Sequence, residues 1–211
     1  MTDNVTASDG RVIGARALKT RRRLLEATAK LLNENGALDL RVIDVTREVG
    51  SSPATFYQYF ADVEEAILAL ADETTDEVET LRVYLSPEWD EEHGLHLASE
   101  LVSGFMAYRD RNQAILRLRD LKAAENDQRF RAVRQKGYAG MMSDLTAKIE
   151  SGKAAGRISL GINAYTAAAG VLAMLEQLSA YQTEFRRKTI TREEMRDTIA
   201  AVVLHAVTGH D

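Results

Sequence analysis

The sequence predicts an all-α protein in which a small N-terminal helix-turn-helix unit, residues 1–60, precedes a larger helical domain, residues 61–211. Three observations carry that expectation. Only two prolines occur in 211 residues, and long stretches are rich in Ala, Leu, Glu and Arg, which lose little freedom on entering a helix. Apolar residues recur at helical spacing along most of the chain and nowhere alternate as in a half-buried strand. The run Arg47-Glu48-Val49-Gly50-Ser51-Ser52-Pro53-Ala54-Thr55-Phe56-Tyr57-Gln58-Tyr59-Phe60 reads as the end of one helix, a turn and a second helix.

The first helix opens with Arg21, Arg22 and Arg23, carries Leu24, Thr28, Leu31 and Leu32 on one face, and is expected to stop at Gly36. A short helix, Val42 to Val49, follows, with Arg41 beside its start. Gly50 ends it, because glycine enters the left-handed conformation of a helix C-terminus without a Cβ clash. Ser52 is placed to cap the next helix. Pro53 falls at the first helical position, where its fixed φ helps and its missing N–H has no helical partner to lose. Thr55, Tyr57, Gln58 and Tyr59 then crowd hydrogen-bonding and aromatic groups into a turn and a half behind the small Ala54. Such a surface suits close approach to phosphates and to base edges in a major groove, with Gln58 the best base reader because its amide can pair bidentately with adenine. Phe56 and Phe60 are expected to point inward.

From Leu24 to Ile67, roughly a quarter of the chain, these residues resemble the DNA-binding domain of the tetracycline-repressor (TetR) family of bacterial transcriptional regulators. The resemblance rests on a first helix ending in Gly36, the short second helix, the Gly50-Ser51-Ser52 turn, and Thr55-Phe56-Tyr57-Gln58-Tyr59-Phe60. It departs at Ser51, where the family usually has an apolar residue, and at Val63, where a lysine is common. The resemblance implies a homodimer on a palindromic operator, with Ser52, Pro53, Ala54, Thr55, Tyr57, Gln58 and Tyr59 at the DNA. It also implies a C-terminal region that binds a small-molecule effector and releases the repressor.

Charge is consistent with that picture. The chain carries −5 overall, yet residues 10–30 hold Arg11, Arg16, Lys19, Arg21, Arg22, Arg23 and Lys30 against Glu26 alone. Residues 61–90 hold ten acids against Arg82. A basic head on an acidic body suits a polyanion at one end. Arg21, Arg22, Arg23 and Arg41 are therefore phosphate candidates, while Arg11 and Arg16 are expected to reach a minor groove from a flexible tail. The alternative is a helical adaptor whose basic N-terminus binds an acidic protein or membrane surface.

The remaining elements follow from caps and periodicity. Asp62 caps a helix with Glu65 three residues on, and Ile67, Leu70, Ala71, Thr74, Val78 and Leu81 repeat along it. Leu97, Leu101, Val102, Phe105 and Tyr108 define a helix beginning near Gly94. Helices are expected over Gln113–Ala124 and Gln128–Ser151, the second with Phe130, Val133, Met141, Leu145 and Ile149 inward, and a loop over Gly152–Gly161. Asn163 caps a segment apolar nearly all round, which must be covered on two sides. A capping box, Thr191 to Glu194, opens the last helix. Leu172, Leu175, Met195, Ile199, Val202, Val203 and Ala206 on these last two helices are the expected dimer interface, the other reading being that they finish the subunit core.

Trp89, Phe105, Tyr108, Leu116, Tyr138, Met141, Met142 and Tyr165 are the candidate effector pocket, since aromatic bodies with polar tips and adaptable methionines suit an apolar ligand. The basic run Arg109, Arg111, Arg117, Arg119, Lys122, Arg129, Arg131, Arg134 and Lys136 could draw in a carboxylate or phosphate, as on a fatty acid or acyl-coenzyme A, or could be solvated helix faces. Catalysis is not expected. Ser151-Gly152-Lys153-Ala154 lacks the residues a phosphate loop needs, His93 and His96 lack a ligand set, and no nucleophile with a base can be assembled. No cofactor and no metal are expected. With no cysteine there is no disulfide framework, the leading ten residues are too polar for a signal peptide, and no run is long enough to span a membrane, so a cytoplasmic setting is expected.

Overall fold

The computed structural model describes residues 14–35, 40–182, 184 and 189–209; Arg11, Gly36 and His210 lie outside them. Its helices are α1 (Ala15–Asn35), α2 (Val42–Val49), α3 (Pro53–Tyr57), α4 (Val63–Thr80), a 3-10 turn at Leu81–Tyr84, α5 (Gly94–Arg111), α6 (Gln113–Ala124), α7 (Gln128–Ala154), α8 (Ala164–Ala180) and α9 (Arg192–Thr208). There is no strand among the described residues.

Two compact units result. One comprises Met1–Thr74 with Gln113–Arg134, the other Thr75–Asn112 with Gln135–Asp211. The division thus falls inside α4 and inside α7 rather than after residue 60. Sequence order alone does not reveal that α6 packs on α1.

In the first unit, Leu24, Leu25 and Leu32 of α1, Val45 of α2, Phe56 of α3, Phe60 just beyond it, Ile67 and Leu70 of α4, and Ile115 and Leu118 of α6 form one buried cluster. Val63 packs half-buried against it, which gives this apolar residue a packing role at the start of α4. Asp62 caps α4 as expected: its Oδ1 accepts from the Glu65 N–H at 2.8 Å. On the other side α1 begins at Ala15, earlier than the arginine triplet. Ala15, Arg16, Ala17, Leu18 and Lys19 are strong helix formers, and Arg16 is therefore helical rather than part of a tail.

The second unit buries Leu101, Phe105 and Tyr108 of α5, Tyr138, Met141, Leu145 and Ile149 of α7, Leu172 and Leu175 of α8, and Ile199 and Val203 of α9. Helix α5 lies against both α8 and α9. Both caps in this region form: Asn163 Oδ1 accepts from Thr166 N–H at 2.9 Å, and Thr191 Oγ1 accepts from Glu194 N–H at 3.1 Å. Gly209 ends α9 at φ +72°, where a Cβ would also stand 2.7 Å from the Arg157 carbonyl oxygen. Helix α7 runs to Ala154, so the first three residues of the expected loop are its last turn.

One local conflict stands out. The Ser51 hydroxyl is buried without a hydrogen-bond partner among the described residues. An orphaned hydroxyl of this kind costs about 1–3 kcal/mol, so Ser51→Val should stabilise the first unit by about 1 kcal/mol. Ser51→Ala removes the hydroxyl without adding volume and should stabilise in the same direction. Denaturant titration of both variants checks this; loss of stability in both would give the hydroxyl a partner.

Candidate nucleic-acid interface

The turn between α2 and α3 is fixed locally. Gly50 takes φ +70°, the Gly50 N–H donates to the Arg47 carbonyl at 3.2 Å, and the Ser51 N–H reaches the Thr46 carbonyl at 2.9 Å. That is a Schellman closure of α2. The Ser52 Oγ accepts from the Thr55 N–H at 3.2 Å and lies 3.1 Å from the Thr55 hydroxyl, which starts α3 at Pro53. Helix α3 is only five residues long, and its chain continues through Gln58 in right-handed helical geometry.

Phe56 and Phe60 are buried with ring centroids 5.5 Å apart. Four residues apart, they occupy one side of the helical path, which turns Tyr57 and Gln58 to the other. Tyr57 is 53% exposed, and Ser52, Pro53, Ala54 and Gln58 are exposed with it. Thr55 is half-buried beside its cap. Tyr59 is half-buried and packs against the head core, so its ring belongs largely to the packing of the unit rather than to the outer face.

The arginines of α1 are less free than their charge suggests. Arg23 donates from Nη2 to the Val49 carbonyl at 2.8 Å, tying α1 to the last turn of α2. Arg21 stacks its guanidinium over the Phe60 ring, 5.3 Å from the centroid, with Nη1 3.8 Å from Glu73. Arg22 donates from Nε to Glu26 at 3.0 Å and from Nη1 to Glu73 at 3.2 Å. The Glu26 hydrogen bond first, and the Glu73 charge second, hold Arg22 further into its charged form. Lys30 pairs with Glu48 at 2.7 Å, a further tie between α1 and α2. Arg41 is exposed at the start of α2, where the Asp44 carboxylate accepts from its N–H at 3.3 Å. The basic row therefore brackets the turn and α3: Arg23 touches the chain before α3 and Arg21 the chain after it. Arg23 as a tie was invisible in sequence, because its acceptor is a backbone carbonyl.

The expected dimer set divides in two. Leu172, Leu175, Met195, Ile199 and Val203 are buried within the second unit itself, so they finish the subunit core. Val202, 48% exposed, and Ala206 lie on the outer side of α9, with Thr198, Ala201 and His205 exposed around them. On α8 the exposed residues include Thr166, Gly170, Ala173 and Gln177.

The effector set also divides. Phe105, Tyr108 and Tyr138 are buried, Phe105 meeting Tyr108 edge-on at 5.8 Å and stacking on Tyr138 at 6.1 Å. Met141 is buried beside the same helices and Met142 half-buried. Trp89 is buried, its indole N–H donating to the Tyr84 carbonyl at 2.9 Å. Tyr165 is 64% exposed at the start of α8, away from that aromatic group, and Leu116 is a buried residue of the first unit. The basic run is shared between the two units and is largely engaged. Arg129 pairs with Asp127 at 2.7 Å and with Glu64, Lys122 with Glu64 at 2.7 Å, Arg111 with Glu77, and the buried Arg119 with Asp120 at 2.7 Å. These pairs account for much of the charge without a ligand, although Arg109 and Arg119 are buried rather than on solvated helix faces.

No group of His, Asp or Glu that could hold a metal ion occurs among the described residues. His93 pairs with Asp90 at 3.1 Å, and Lys153, inside α7, pairs with Glu150 at 3.3 Å. Among the described residues, no helix is long and apolar enough to cross a membrane.

Two family models match the chain. One, bacterial regulatory proteins of the tetR family, covers residues 24–70; the other, the tetracyclin repressor-like C-terminal domain, covers residues 80–211. Solved structures share the fold at low identity. The fatty acid degradation regulator FadR of Bacillus halodurans is 14% identical with a TM-score of 0.67, covering 92% of this chain and 97% of its own. FadR of Bacillus subtilis, in complex with stearoyl-CoA, is 15% identical at 0.64, covering 90% and 99%. A putative TetR-family regulator from Mesorhizobium loti is 22% identical at 0.66, covering 92% and 97%.

The geometry separates two neighbouring arginines. Arg23→Gln should destabilise the first unit by about 1 kcal/mol, because a charged donor to a helix C-terminal carbonyl is lost. Arg22→Gln removes only exposed ion pairs and should change stability by less than about 0.5 kcal/mol. Chemical denaturation of the two variants measures the difference; equal effects would contradict the tie.

Proposed function

We propose, from the premise that the chain belongs to the tetR family of bacterial regulatory proteins, that it works as a homodimer whose two α3 segments read a palindromic operator. The chain is a DNA-binding transcriptional repressor with an N-terminal helix-turn-helix domain and a C-terminal ligand-binding domain. The adaptor alternative is not favoured. Regulators of this family are generally not enzymes.

The observation that carries the residue-level reading is the sidedness of α3. Buried Phe56 and Phe60 leave Pro53, Ala54, Tyr57 and Gln58 outward, behind a capped N-terminus. Small Pro53 and Ala54 allow close approach; Ser52, Thr55 and Tyr57 offer hydroxyls to phosphates; Gln58 reads a base edge. Arg22 and Arg41 add phosphate contacts. One recognition segment per chain calls for two copies spaced about 34 Å apart along the duplex. Val202 and Ala206 of α9, with Ala201 and Thr198 beside them and the exposed side of α8, are the surface through which two copies pair. The chain works in the cytoplasm, where its operator is.

The effector is a largely apolar molecule bound among Phe105, Tyr108, Tyr138 and Met141 of the second unit. This reading is supported by the aromatic group there, and acyl compounds are natural candidates given the stearoyl-CoA complex of FadR from Bacillus subtilis. The engaged state of the basic run argues for recognition through the apolar portion of such a ligand.

Two substitutions test the reading. Gln58→Ala should keep the fold and relax preference at one or two operator positions, at a loss of about 1–3 kcal/mol. Competition gel shifts with single-position operator variants measure this, and an unchanged preference would remove Gln58 from the reading set. Val202→Arg places an unpaired charge in the proposed pairing surface, where its desolvation disfavours association. By sedimentation the variant should be monomeric with its helicity intact and should bind a full operator poorly; a helical variant that still dimerises would place the interface elsewhere.

A further inference from the structure

Resting on the DNA-binding reading, we infer that Glu73 and Glu26 are built-in competitors for the DNA phosphates, holding Arg22 in the DNA-free protein so that the duplex must displace a carboxylate to engage it. Arg22 bridges them, 3.0 Å from Glu26 on its own helix and 3.2 Å from Glu73 on α4, and Glu73 also faces Arg21 at 3.8 Å. The two arginines are not equivalent. The Arg21 side chain is 22% exposed and stacked on Phe60, so it is anchored; the Arg22 side chain is 63% exposed and free to swing once released. Both carboxylates are themselves solvent-exposed, so each holds Arg22 weakly enough for a phosphate to win.

The location makes the competition matter. Arg21 and Arg23 on either side of Arg22 touch the segments flanking α3, so this stretch of α1 lies beside the DNA-reading surface. Contacts to phosphate supply essentially all affinity for non-operator DNA. A carboxylate that must be displaced first weakens every phosphate-dependent complex by the same factor. Base contacts through α3 are untouched. The chain thereby lowers its grip on random sequence and on operator alike, and leaves the base contacts of α3 to set the preference between them.

The test uses the full chain, a fluorescent duplex of mixed sequence long enough for one dimer, and four proteins: wild type, Glu73→Gln, Arg22→Gln and the double variant. Anisotropy titrations at fixed salt should show Glu73→Gln binding about 1.5- to fivefold tighter than wild type, the range set by exposed ion pairs. Arg22→Gln should bind more weakly, and in that background the gain from Glu73→Gln should fall to half or less. Glu26→Gln, a change on α1 rather than α4, should tighten binding in the same direction and serves if Glu73→Gln is poorly folded. A gain that persists in full without Arg22 would make Glu73 a bulk charge and overturn the proposal. So would carboxylate variants that bind no tighter than wild type, or an Arg22→Gln variant of unchanged affinity. A wild-type chain that binds no duplex would instead defeat the DNA-binding reading itself.

Discussion

The burial of Phe56 and Phe60 is the constraint on which the head depends. These rings, four residues apart, are held in a core made by α1, α2, α4 and α6. A helical path with that side fixed leaves no choice for the other: Tyr57 and Gln58 must face out. The caps decide where the path starts, through the left-handed Gly50, the Ser52 hydroxyl and Pro53. Packing therefore fixes the rotation of α3, and turn chemistry fixes its origin. Both are needed before a side chain can be placed at a base edge.

Electrostatics is layered on this frame. An acidic chain offers a basic row on α1, but much of that row is committed to the protein. Arg23 closes the end of α2, Arg21 covers Phe60, and Lys30 joins Glu48. Net charge thus understates what the head presents to DNA, and a simple count of arginines overstates it. The same lesson holds in the basic run between Arg109 and Lys136, where pairs such as Arg129 with Asp127 and Lys122 with Glu64 account for charge that sequence alone leaves open to a ligand.

What was legible in the sequence was local. Gly50, Ser52-Pro53, Asp62, Asn163 and the Thr191–Glu194 box each act within a few residues, and each forms as the spacing predicts. Apolar periodicity correctly marked Leu101, Phe105, Leu145 and Ile149 as buried. It could not say which apolar positions on α8 and α9 face the subunit's own interior. Leu172 and Val203 turn inward while Val202 stays exposed, because α5 covers one side of these helices and not the other. Contacts between distant positions were also silent: Arg22 and Glu73 are 51 residues apart, and α6 joins the head although it follows α5 in the chain. Tyr59 illustrates the limit at single-residue scale, since one helical step past Gln58 suffices to lay its ring, half-buried, against the core.

The most direct test of the account is selection of bound duplexes from a random-sequence pool by the intact protein, followed by footprinting of the enriched site. The account predicts one enriched palindrome whose half-site centres lie about one helical turn apart, protected on major-groove edges by a two-copy complex. Binding that is salt-sensitive but enriches no sequence would contradict it, leaving the basic helix of the head as a general polyanion surface.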